Sequence, residues 1–161
     1  MTKTKILYLP FDEVDFLSLI PVLNEHAVRN HLVAHPPFDE ANIVQWIESK
    51  LVCDRQPGCR VRVIMVEGAP VGWCGIQADG DDFELAIVIS QQSWGLGPSV
   101  FRVLCSWARE FGHADVVIHL LETRPEYRFL TRMASQITHS RLMGRGFTTY
   151  RIPISSPGAD L

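Results

Sequence analysis

Three apolar runs, residues 61–66, 71–77 and 83–89, follow one another with only short turns between them, and the third leads straight into Gln92-Ser93-Trp94-Gly95-Leu96-Gly97. The first two are joined at Glu67-Gly68-Ala69-Pro70, a hairpin signature, and the second and third at residues 78–82, so the trio reads as an antiparallel meander. After the glycines a helical pattern runs from about 98 to 111 and stops at Gly112, a natural C′ residue, with Pro98 in its first turn, where the missing N–H is not needed. Residues 116–121 form the next strand. A helix precedes it, so it is expected to run parallel to the last strand of the meander.

Upstream, residues 6–9 read as a short strand that Pro10 ends. A helical segment lies between 15 and 32, and Pro21, tolerated only in a first turn, places its start close to Ser18. His35-Pro36-Pro37 is a loop. Asp39 then caps a second helix, whose Ile43, Ile47 and Leu51 recur every four residues with Trp46 beside them. Downstream, residues 124–145 read as mainly helical, Gly146 stops them, and 147–154 close as a last strand. The element order is βααβββαβαβ, an α+β arrangement in one domain, 1–161.

The strand, glycine turn and helix around residues 83–111 are arranged to hold a pyrophosphate. Glycine has no Cβ, so the backbone at Gly95 and Gly97 lets an anion approach closely and adopts positive φ where needed. The helix start points N–H groups and the positive end of its dipole at the same place. A dinucleotide site of the Rossmann kind fits less well, since an antiparallel meander precedes the glycines and no acidic ribose contact stands at the expected distance.

Other features narrow the class. No run approaches the roughly 18 apolar residues of a membrane span, and the N-terminal run meets Pro10, Asp12 and Glu13 too soon for a signal peptide, so a cytoplasmic protein without membrane contact is expected. Cys53, Cys59, Cys74 and Cys105 lack metal-ligand spacing and read as reduced thiols, with no metal. Residues 1–100 hold thirteen acids against seven bases and residues 101–161 five against eight. The second half is thus suited to an anion and the first to a cation. With three lysines and no dense basic run, nucleic acid is not an expected partner.

Taken together, Glu84-Leu85-Ala86-Ile87-Val88-Ile89, Gln92 with Gly95 and Gly97, Trp107 to Gly112, and Leu142-Met143-Gly144-Arg145-Gly146-Phe147 resemble the GCN5-related N-acetyltransferase (GNAT) superfamily along nearly the whole chain. The resemblance implies an α/β sandwich whose mixed sheet combines the meander with a splayed parallel strand pair, flanked by about four helices. It implies acetyl-CoA as co-substrate and direct acetyl transfer to a primary amine of a small molecule, peptide or protein. A member that binds acyl-CoA without catalysing transfer, as a sensor or interaction module, is the alternative.

The pyrophosphate would then lie over Gln92, Trp94, Gly95, Leu96, Gly97, Pro98 and Ser99. Counting from Trp107 makes Gln92, Gly95 and Gly97 the motif positions, whereas counting from Glu84 makes them Trp94, Gly97 and Ser99. Val88 and Ile89 would pair with the pantetheine amides, a nearby N–H polarising the thioester carbonyl.

An attacking amine must lose a proton, which calls for a base. Glu84, the only charge in residues 83–89, is the candidate. Where many members carry a tyrosine to protonate the departing thiolate, this chain has Leu142; Tyr127, Ser135, Ser140 and Tyr150 are possible substitutes. Arg124, Arg128 and Arg132, spaced by four, would share a helix face, from which one could reach the CoA phosphates, and Arg102 is a further candidate for them. His119 could face the acceptor. Trp46 and the acidic Asp39, Glu40 and Glu48 surround the expected acceptor region and suggest a cationic amine; a homodimer is also an expectation.

Overall fold

The chain is described by a computed structural model covering residues 5–25, 28, 36–124, 127–142 and 144–154. Its spine is a seven-stranded sheet in the order β1-β2-β3-β4-β5-β7-β6. The strands are β1 (Ile6–Leu9), β2 (Arg60–Val66), β3 (Ala69–Asp79), β4 (Asp82–Ile89), β5 (Asp115–Leu121), β6 (Gln136–Leu142) and β7 (Arg145–Pro153). The expected meander is present as β2, β3 and β4, all antiparallel, with Trp73 opposite Val88 and Gln77 opposite Glu84. β4 and β5 are parallel, as expected from the helix between them, and meet in register at Glu84↔Val117.

The helices are α1 (Phe16–Leu23), α2 (Glu40–Asp54), α3 (Gly97–Phe111) and α4 (Arg128–Met133). Asp39 caps α2 as its sequence indicates. Its carboxylate accepts from the Ala41 and Asn42 amides, and the Asn42 side chain accepts from the Asp39 amide. This reciprocal arrangement satisfies donors that the first helical turn leaves unpaired. α3 has Pro98 in its first turn and ends at Gly112, whose φ of 78° is left-handed. α1 starts at Phe16 rather than near Ser18, because Asp15 caps it through Leu17 N–H. Pro21 therefore falls in its second turn. The rest of the expected segment, to Leu32, lies largely outside the described residues.

The last third departs from the expected order. Helix α4 is six residues long, and residues 136–142 form a strand instead of continuing it. The physical reason is a hairpin: β6 pairs with β7 from Gln136↔Arg151 to Leu142↔Arg145, and Gly144, at φ 78°, sits in its turn. Ile137 and Thr138 are β-branched and suit the strand. Arg124 lies before α4, so it shares no helix face with Arg128 and Arg132.

Alternation of side chains divides the core in two. On one face α3 lays Val100, Phe101, Leu104, Cys105 and Ala108 against Cys74, Ile76, Leu85, Val116, Ile118 and Ile152. On the other, α1 and α2 pack Leu19, Leu23, Ile43 and Ile47 with Phe11, Phe38, Val61, Val63, Trp73 and Val88. Each valine, leucine, isoleucine or phenylalanine among them contributes roughly 1.5–3 kcal/mol on leaving water, and so the two layers pin the sheet from both sides.

Candidate functional site

Beyond the Glu84↔Val117 contact the parallel strands become the walls of a cleft of about 680 Å³, with Leu85 to Ile89 on one side and Ile118 to Leu121 on the other. Trp94, Gly97, Pro98 and Phe101 border it at the start of α3, while Trp46, Lys50, Trp73, Gln77 and Asp79 border it toward α2. Of the residues expected to hold the donor or act as base, the cleft gathers Glu84, Val88, Ile89, Trp94, Gly97 and Pro98. Gln92, Gly95 and Leu96, in the turn that carries Trp94, and Ser99, in the first turn of α3, are not part of its lining.

That turn is a 3-10 segment, Gln91–Leu96, flowing directly into α3. Gly97 has φ −49°, and Gly95 is not among the positive-φ glycines, so neither glycine uses its conformational freedom here. What both provide is space: a Cβ added at either meets nothing within 4 Å. The Gly97 N–H turns back to the Trp94 carbonyl, and Leu96 makes no side-chain cap to α3. The positive end of a fifteen-residue helix thus opens beside the cleft without a side-chain capping hydrogen bond from Leu96. Glu25 anchors the turn from the other side, its carboxylate accepting from Ser90 Oγ at 2.7 Å and from Gln91 N at 2.8 Å.

Trp94 occupies the splay itself. Its indole Nε1 donates to the Ile89 carbonyl at 2.9 Å, a backbone group expected to pair with a ligand amide. Arg124 lies with its guanidinium carbon 5.9 Å from the Trp94 ring centre and 5.8 Å from that of Tyr127. Its Nη2 donates to Tyr127 Oη at 3.2 Å, and its buried Nε has no hydrogen-bond partner among the described residues. Arg124 and Tyr127 line the cleft; Arg128 and Arg132 are exposed elsewhere. Of the substitutes for the missing phenol, Tyr150 is buried in the core and Ser135 lies outside the lining, whereas Ser140 is in it. Leu142 also lines the cleft, from strand β6, 59% exposed. Arg102 donates to Ser99 Oγ at 3.3 Å on the exposed face of α3.

At the Glu84 end a polar chain crosses three strands. Lys50 Nζ donates to Gln77 Oε1 at 2.7 Å, Gln77 Nε2 donates to Glu84 Oε1 at 3.0 Å, and Glu84 Oε2 lies 3.8 Å from His119 Nε2. His119 Nε2 is 2.8 Å from Asp79 Oδ2, and its Nδ1 is 2.7 Å from Thr149 Oγ1. An ionised carboxylate only accepts, so Nε2 carries the proton toward Asp79 and the threonine hydroxyl donates to Nδ1 in the neutral ring. Burial raises the Glu84 pKa, with the Asp79 charge adding to it, and His119, Gln77 and Lys50 pull the other way. Burial lowers that of Lys50, which sits 4.1 Å from the Trp73 ring centre and 5.3 Å from that of Trp46.

The carboxylate oxygens of Asp79 and Glu84 and a His119 nitrogen all lie within 4.8 Å of one another, a donor set compatible with a divalent cation. The Asp79–His119 hydrogen bond already satisfies two of them. No spacing in the sequence links these three, because strands β3, β4 and β5 bring them together. Lys50 and Gln77 were equally invisible, being single polar residues on α2 and β3. Asp39, Glu40 and Glu48 are exposed and do not line the cleft, so the acidic groups in its lining are Asp79 and Glu84.

Among the described residues no helix is long and apolar enough to cross a membrane. No protein-family model matches the chain, and no curated protein matches it. Solved structures do. A protein from Bordetella pertussis described as a GnaT-family acetyltransferase superposes with a TM-score of 0.74 at 14% identity, over 94% of this chain and 97% of its own. A ribosomal-protein-alanine N-acetyltransferase from Brucella melitensis does so at 0.68 and 18%, over 92% and 99%. A Salmonella typhimurium protein assigned as an acetyltransferase, solved with its cofactor acetyl-CoA, does so at 0.65 and 16%, over 99% of each chain. The chain has the GNAT fold, with its antiparallel strands and its parallel β4–β5 pair.

Proposed function

We propose that this protein transfers the acetyl group of acetyl-CoA directly to a primary amine, in a ternary complex formed in the β4–β5 cleft. The observation that carries the reading is the position of Glu84. A carboxylate with a raised pKa stands on the wall of a cleft between splayed parallel strands, and a glycine turn and a helix start border the same cleft. The resemblance in sequence and the fold shared with an acetyl-CoA-bound structure support acetyl-CoA as the donor.

In this reading the start of α3 receives the pyrophosphate through its dipole and exposed first turn. The pantetheine arm runs between β4 and β5, along Val88 and Ile89, and takes the Ile89 carbonyl when the Trp94 indole gives it up. Glu84 accepts the proton of the acceptor ammonium, and the free amine attacks the thioester carbonyl. A base with a raised pKa suits this task better than an ordinary carboxylate, since it holds the proton more firmly. The Tyr127 phenol, held by Arg124 at the donor end, protonates the departing thiolate in place of the residue that Leu142 replaces.

The test is thiol release from acetyl-CoA across a panel of polyamines, amino acids, aminoglycosides and peptide N-termini. Release that depends on the added amine is expected. Tight CoA binding with no release on any amine favours instead an acyl-CoA-binding module without catalysis.

A further inference from the structure

We propose that Lys50 is a self-acetylation site, modified by the protein's own acetyl-CoA chemistry when no other amine fills the cleft. The inference rests on the acetyl-transfer reading above and extends it to a residue that reading does not use. Residues 73, 77, 84 and 88 share one face of the sheet, because Trp73 pairs with Val88, Gln77 pairs with Glu84, and each strand alternates. α2 covers that face and delivers Lys50 into it. The ammonium lies over Trp73, the residue opposite Val88, and one glutamine side chain from the Glu84 carboxylate. An amine, a base and the strand position expected beside the thioester thus occupy one patch of the cleft.

Lys50 is suited to the role in two further ways. Burial lowers its pKa, so more of it is free amine than in an exposed lysine. Its hold is light, cation–π contacts with Trp73 and Trp46 and one hydrogen bond to Gln77, on a stem with four rotatable carbons. Of the other two lysines, Lys5 is exposed on the far edge of the sheet and Lys3 lies outside the described residues.

The step balances without another reagent. The Lys50 Nζ lone pair attacks the thioester carbonyl of acetyl-CoA, the C–N bond forms and the C–S bond breaks. The proton lost from nitrogen passes through Glu84, and the sulfur leaves as the CoA thiol after protonation. The product is an amide that has lost its cation beside Glu84 and gained bulk at the acceptor end, so the modified protein is expected to acetylate free amines more slowly.

The experiment is incubation of the full chain with acetyl-CoA alone, followed by intact mass and peptide mapping, in the wild type, Lys50→Arg and Glu84→Gln. One acetyl group per chain on Lys50, absent in Lys50→Arg and slowed by about 100-fold in Glu84→Gln, supports the proposal. Acetylation confined to Lys3, Lys5 or the N-terminus overturns it, as does equal labelling of Lys50 after denaturation, which marks plain chemical acylation. Amine-dependent thiol release with Lys50 unmodified overturns this inference and leaves the transfer reading standing. Absence of both CoA binding and release overturns the two together.

Discussion

Replacing Glu84 by Gln separates a catalytic carboxylate from a structural one. Glutamine keeps the size of the side chain and its place beside Gln77, so the variant removes proton acceptance and little else. A general base is worth roughly 100- to 10,000-fold, or about 3–5 kcal/mol of barrier at 1.36 kcal/mol per decade. Two features of the site place the loss near the lower end. Asp79 presents a carboxylate oxygen within 4.8 Å of that of Glu84 and offers a second base, and the Glu84 side chain is 28% exposed, so water reaches it. The expected drop in kcat/KM is therefore about 100-fold, deepening when Asp79→Asn is added.

The pH profile supplies the second readout. Activity needs the ionised base, so it rises with pH through the Glu84 pKa. Burial raises that pKa, so the acid limb lies above the ordinary glutamate range and disappears in the variant. Stability moves in the opposite sense. A carboxyl whose folded pKa exceeds its unfolded one contributes stability below the unfolded pKa that is lost as pH rises through the folded one. Glu84→Gln is thus at least as stable as wild type at neutral pH and loses ground to it as pH falls. An unchanged kcat/KM with the acid limb in place, measured by thiol release, refutes the assignment.

Further outcomes follow from the packing and the thiols. Gly75→Ala places a Cβ 2.5 Å from the Arg60 carbonyl and 2.8 Å from Val61 Cα, backbone that α2 and the sheet hold in place. A loss of about 1–3 kcal/mol in urea unfolding is expected, and an unchanged midpoint would contradict the β2–β3 register. Burial pushes the Cys74 thiol up to about 12 and those of Cys53 and Cys105 up to about 11, so in the native protein at pH 8 they react slowly with a disulfide reagent. Fast labelling of Cys74 before unfolding would show the core to be open. Tyr127→Phe removes the phenol beside Arg124 and is expected to lower kcat by about 10- to 100-fold with little change in the binding of CoA. Equal kcat in the variant would remove Tyr127 from thiolate protonation.

The meander, α3 and the parallel strand after it were legible because each rests on local chemistry. Glu67-Gly68-Ala69-Pro70 makes a turn, Pro98 and Gly112 bracket a helix, and that helix supplies the crossover a parallel return needs. Residues 136–142 were not, because arginines at four-residue spacing mimic a helix face while the strand is fixed by pairing with β7 and by Gly144. The site divides the same way. Glu84 stood out as a lone charge on an apolar strand, and the glycine turn by its composition. His119, Asp79, Gln77 and Lys50 acquire meaning only through the strand register and the packing of α2, which no local pattern encodes. Likewise, that Trp94 covers the Ile89 carbonyl is a tertiary fact, although both residues lie in the stretch read as the ligand loop.

The central claim is that the cleft beside α3 holds acetyl-CoA. Gly97 lines it, and a Cβ there meets nothing within 4 Å, so Gly97→Phe is expected to fold normally and fill the opening. Calorimetric titration of acetyl-CoA into both proteins tests this most directly. Saturable one-to-one binding by the wild type, lost in a folded Gly97→Phe variant, is the predicted result. No binding by the wild type, or equal binding by both, would contradict it.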